Sequence, residues 1–167
     1  MTSPFPPELA PLTSTLVGVH WLKTIPGLPT QQINTTLPSK QNGTHNYAVW
    51  ADTGFIQVSV ASGSPHLDLP VGEPVLDIVT WATSATSKKI PWRQANDLAA
   101  RIIAATYDPA VMRPSRRRVP TPPGYPDARV TSAYATTDPR QVDGDEAHLG
   151  GYQFDLKVHY VAIPVQE

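Results

Sequence analysis

The chain has 167 residues, a formal net charge of −1 and 16% charged residues, which is enough for one domain with a substantial core and too little for two. Near-neutrality excludes a global field that would draw it to nucleic acid or to an anionic membrane. The absence of cysteine excludes disulfide frameworks, Cys-based zinc sites and thiol catalysis.

The first residues, MTSPFPPELAP, have neither a basic nor an apolar leader region, so no signal peptide is expected. The sequons at Asn34 and Asn42 are accordingly read as chance matches. Leu9, Leu12, Leu16, Val19 and Leu22 recur at three- and four-residue steps and predict a helix over 7–24. Pro11 is either tolerated in its first turns or moves the helix start to that point. Pro26-Gly27 ends it.

Gln31–Thr36 reads as a short extended piece, Asn42-Gly43 as a turn, and Tyr47–Trp50 as the beginning of a strand. Phe55–Val60 alternates, with Ile56, Val58 and Val60 on one face and Gln57 and Ser59 on the other. Residues 63–72 form a Pro- and Gly-punctuated loop. Residues 75–83 are β-prone on both faces, as in a central strand, with Asp77 the one charge. From Pro91, at the first helical position, an amphipathic helix sets Trp92, Ala95, Leu98 or Ala99, Ile102 and Ala105 on one side. Arg93, Asp97 and Arg101 form a charge ladder on the other.

Residues 108–127 hold six prolines and four clustered arginines and predict an irregular connection. Residues 129–135 return to strand character, 136–151 are polar and turn-rich, and 152–162 alternate strictly. In that last strand Tyr152, Phe154, Leu156, Val158 and Tyr160 face in, while Gln153, Asp155, Lys157 and His159 face out. The expected whole is a single α+β domain over 1–167. It has a mainly antiparallel sheet of four or more strands, two helices packed on one face, and long Pro-rich loops. Its 19 prolines, about twice the usual ~5% share, belong to those loops.

Few constellations invite chemistry. Asp143, Asp145, Glu146 and His148 crowd into VDGDEAHLG, but the spacing fails as an EF-hand: Gly144 directly follows the first Asp, and Phe154 stands where the bidentate Glu belongs. The five histidines have no metal-ligand spacing, and no nucleophile elbow, P-loop or dinucleotide fingerprint is present. Trp81 and Trp92 read as core or subunit contacts rather than as a stacking platform, and Trp50 is left open. Arg113, Arg116, Arg117 and Arg118 are the one strong charge cluster. They form either an arm for phosphates or an acidic partner, or a solvated loop paired with nearby carboxylates, and the second is the ordinary outcome in a near-neutral chain.

A PPELAPL helix ending in HWLKTIPGLP comes first, followed by a strand FIQVSVASGSP and then EPVLDIVTWATS. A helix PWRQANDLAARI and a closing GGYQFDLKVHYVAI complete the series. In this order they resemble the small tail terminator proteins of long-tailed, siphovirus-type bacteriophages, particularly those infecting actinobacteria. Residues 75–103 are the most characteristic part; the Arg-bearing loop and the acidic turn have no counterpart. The resemblance implies a non-enzymatic virion protein without cofactor or metal. Such a protein forms a hexameric ring on the head-proximal end of the tail tube, ends tube polymerisation and presents the head-joining surface. Its implied partners are further copies of itself, the tail tube protein and a head–tail connector or stopper protein. Genomic DNA passes through its lumen without specific binding, and no membrane is involved. It would be assembled in the host cytoplasm and reside in the virion tail. The loops at 63–72, 108–127 and 136–151 are the expected contact regions, with Arg113, Arg116, Arg117 and Arg118 as partner- or DNA-facing residues. Rival readings are a head-completion or stopper protein on the portal side, a small metal-dependent enzyme using Asp143, Asp145 and His148, and a monomeric binding domain.

Overall fold

The computed structural model describes residues 11–38, 40–41, 44–45, 47–63, 71–112, 118–145 and 148–163. Helix α1 (Ser14–Lys23) begins after Pro11, and the part of the expected helix before residue 11 lies outside the described residues. The Thr13 hydroxyl accepts from the Leu16 amide at 3.3 Å, and this cap fixes the start beyond Pro11. The helix closes at Thr24, whose hydroxyl donates to the Trp21 carbonyl at 2.6 Å. Gly27, at φ 83°, then turns the chain in a conformation that disfavours a side chain. The turn expected at Asn42-Gly43 lies outside the described residues, between two short strands, β2 (Lys40–Gln41) and β3 (Thr44–His45), that pair antiparallel. Ahead of them, β1 (Ile33–Asn34) is the extended piece expected within 31–36.

Tyr47–Val49 is a 3-10 turn, not the start of a strand. Its i, i+3 spacing brings Tyr47 and Trp50 to the same side, where both are buried with Phe55 and Leu149 in a second, smaller core. A strand would have pointed these two rings to opposite faces. Trp50 is thus a core residue, with its ring 5.8 Å from Phe55. Then follow β4 (Phe55–Ser62), β5 (Val71–Gly72) and β6 (Val75–Thr83), so the end of the expected 63–72 loop is extended.

Helix α2 (Trp92–Tyr107) buries Ala95, Leu98, Ala99, Ile102 and Ala105, and Pro91 sits one position earlier than expected, at the cap. The ladder on its outer side is incomplete. Arg93 lies 3.8 Å from Asp97, but Arg101 donates instead to the Gly27 carbonyl at 3.0 Å. The connection after α2 is not wholly irregular: it holds a one-turn helix, α3 (Pro109–Met112), and the strand β7 (Arg118–Val119). Pro109 opens α3 because a missing amide costs nothing in a first turn. Strands β8 (Ala128–Ala135), β9 (Arg140–Asp143) and β10 (Leu149–Ala162) complete the chain, β9 arising inside the stretch read as turn-rich.

The fold is α+β, and its curled sheet runs β1-β4-β6-β10-β8-β7. All pairs are antiparallel except β1 with β4. β10 is the spine. It pairs with β6 and β5 along one side and with β9 and β8 along the other. Ile78 lies between Val58 and Phe154, and Leu76 between Val60 and Leu156, so apolar side chains stack across three strands on one face. α1 approaches this face at Gly18, where a β-carbon would stand 2.4 Å from Leu76 Cδ1. α2 meets it at Thr80, a fully buried residue that donates its hydroxyl to the Ala95 carbonyl at 2.8 Å. Trp21, Leu22, Leu98 and Ile102 join Ile56, Leu156 and Val158 in one continuous cluster. A close-packed core of this kind is the main favourable term in folding.

Candidate functional site

Of the four arginines singled out in the sequence, Arg113, Arg116 and Arg117 lie outside the described residues. Arg118 opens β7, where its backbone lies opposite Arg129. Its guanidinium forms an ion pair with Asp127. The same carboxylate accepts from the Thr121 amide at 3.2 Å, so Asp127 ties the 118–127 segment into a closed loop. Arg118 therefore fits the paired, solvated reading of that cluster better than an arm held out for a partner.

The acidic turn is built by strand pairing. Asp143 ends β9 opposite Gly150, and the Gly144 amide donates to the Leu149 carbonyl at 2.8 Å. Glu146 lies outside the described residues. The His148 and Tyr47 rings meet nearly at right angles, with centroids 4.9 Å apart, at the rim of the smaller core. Among the described residues no three His, Asp or Glu side chains gather where a metal ion would be held. The geometry thus draws His148 into packing and leaves Asp143 and Asp145 exposed.

The sheet's second face is the surface that sequence alone left incomplete. Alternation in β10 placed Gln153, Asp155, Lys157 and His159 outward, but the register adds their neighbours. Asp77 stands opposite both Asp155 and Ser59, and Trp81 opposite both Gly151 and Phe55. Gln153 donates to the Asp77 carboxylate at 2.8 Å and accepts from Arg140 at 3.2 Å. The Trp81 indole donates to Gln57 at 2.9 Å. Beyond them the His159 ring stacks on Tyr134, 6.2 Å between centroids, and sits 3.6 Å from the Glu73 carboxylate. Around Asp77 this face is polar and nearly balanced in charge, while at its Trp81 end Phe55 and Leu149 are buried in the smaller core. Alternation within each strand hinted at it; only the register assembles it.

Hollows also mark the surface of the described residues. A wide groove of about 650 Å³ runs along α2, with Leu28 and Leu98 at its floor and Asp52, Arg93, Asp97 and Arg101 around it. A smaller one lies between α1 and β1 and includes His20 and Asn34. Burial lowers the His20 pKa below its ordinary value, and the nearby Lys23 charge lowers it further. No constellation of nucleophile, base and oxyanion donors converges in either hollow among the described residues.

Among the described residues no helix is long and apolar enough to cross a membrane. No protein-family model matches the chain, and no curated protein matches it.

Proposed function

We propose that this chain is a structural virion protein of the tail terminator type. Copies of it close into a ring, most simply a hexamer, on the head-proximal end of a phage tail tube. The ring ends tube polymerisation and offers the surface to which the head connector or stopper protein docks. The sheet with two helices on one face forms the ring body, and the long Pro-rich loops reach neighbouring subunits, tube and connector. Genomic DNA passes through the lumen without being held, since tight phosphate contacts would arrest it. The protein works in the virion tail and carries no catalytic step.

The observation that carries this reading is the strand–helix unit of residues 75–103. In it a central strand ending in Trp-Ala is followed by a polar loop and a Trp-led, Ala-rich helix, and this is the most characteristic part of the resemblance. The broad sheet face supports it too: a balanced, hydrogen-bonded polar surface suits contact with further protein, because it neither repels a copy nor binds phosphate strongly.

Adding purified protein to growing tail-tube polymers tests the reading. Capping of one tube end with arrest of elongation is the expected result. Binding to portal complexes without capping would instead make it a stopper on the portal side. Replacing Arg113, Arg116 and Arg117 together by Ser, with Arg118 kept for its ion pair to Asp127, is expected to weaken docking while leaving the fold intact; wild-type particle yield would remove these arginines from the account.

A further inference from the structure

Among the described residues the sheet ends in two different unfinished edges. Among the described residues, β1 covers β4 only at Ile56 and Gln57, so Val58–Ser62 has no partner on its outer side. At the opposite end the described residues of β7 pair with β8 at Ala128 and Arg129, and no described residue pairs with the outer side of 132–135. Both open stretches, Val-Ser-Val-Ala-Ser and Ser-Ala-Tyr-Ala, lack charge and proline. Edge strands that must stay single are normally protected by such residues. Each also carries an exposed large apolar side chain, Val60 at 46% and Tyr134 at 42%.

Strand direction decides what fits these edges. β4, β6, β10 and β8 are linked by three antiparallel pairings, so β4 and β8 run opposite ways. A copy rotated about an axis along the strands keeps every direction, and its β4 then arrives beside β8 antiparallel. The sheet continues without a break, and both edges are used in every subunit. A two-fold pairing of like edges would leave the other edge of each subunit open. Register agrees as well. Setting Ser59 opposite Tyr134 places Val60 against Ala133 and keeps each side chain on its own face, since Ser59 and Tyr134 lie on the face of Asp77 and Lys157.

We infer that a second copy of this chain docks its β4 edge, residues 58–62, onto the β8 edge, residues 132–135. The contact is head-to-tail and joins the sheets of successive subunits. A heterologous contact of this kind closes into a ring when the rotation permits. The inference rests on the ring reading and names the interface that reading requires.

Cysteine pairs test it in the full chain, which has no cysteine of its own. Ser59→Cys and Tyr134→Cys, combined in one chain and treated with a short bis-maleimide, are expected to give a ladder of covalent oligomers up to the ring number. Each single variant is expected to stay monomeric on the denaturing gel. Val60→Lys is expected to abolish rings with an unchanged far-UV circular dichroism spectrum. Rings in micrographs without a ladder from the double variant would overturn this interface and leave the ring reading standing. Covalent dimers from either single variant would overturn it in favour of two-fold edge pairing. A sample that never exceeds monomer mass would overturn the ring reading and this inference with it.

Discussion

Thr80 and Thr83 lie three residues apart on one strand, both at most 1% exposed. The Thr80 hydroxyl reaches the Ala95 carbonyl and links sheet to helix, whereas the Thr83 hydroxyl has no hydrogen-bond partner among the described residues. The same substitution is therefore expected to act oppositely at the two sites. Thr80→Val should cost about 1 kcal/mol, while Thr83→Val should be neutral or stabilising, because a buried hydroxyl without a partner only carries a desolvation penalty. Urea unfolding of both variants checks the contrast; equal losses would contradict it. His20 supplies a pH signature. Its folded pKa is lowered, so in the window below the ordinary value of about 6.5 the unfolded chain binds the proton first. Stability is then lost as pH falls through that window to the folded pKa. The urea midpoint of His20→Gln is expected to fall less than wild type between pH 7.5 and 5.5, and parallel profiles would count against it. Neither the Thr80 partner nor the burial of His20 was legible in the sequence, since each depends on neighbours well separated along the chain.

At the level of elements, legibility followed length and pattern. β6 and α2 were readable because nine and sixteen residues give a period time to declare itself. β10 was readable for the same reason, although its first three residues, beginning at Leu149, were read as turn. The two-residue strands β1, β5 and β7 exist because longer neighbours offer them a ladder, and no local period marks them. β9 was hidden likewise, its Arg-Gln-Val-Asp sequence reading as a polar turn until β10 pairs with it. The 3-10 turn at Tyr47 was misread because aromatic residues favour strands, whereas here burial of Tyr47 with Trp50 outweighed that propensity. Since β10 has partners along both sides, damage to it should propagate. Leu156→Ala, at a fully buried position, is expected to cost about 2–5 kcal/mol in urea unfolding. A loss below about 1 kcal/mol would mean that β10 is not the spine of the core.

For the molecule as a whole, the antiparallel α+β architecture was foreseeable from element order, but the surface that matters was not. The polar part of the sheet's second face and the edges left open among the described residues arise from register and strand order, which no single stretch encodes. The proposal that this domain works as a ring depends on those surfaces and not on any catalytic residue. The weak charge fits such a role, because subunits that meet repeatedly around an axis gain from the absence of like-charge repulsion. Electron microscopy of the purified full-length protein tests this most directly. The account predicts rings of uniform diameter with six-fold averages and an open lumen; a field of particles of single-chain mass at micromolar concentration would contradict it.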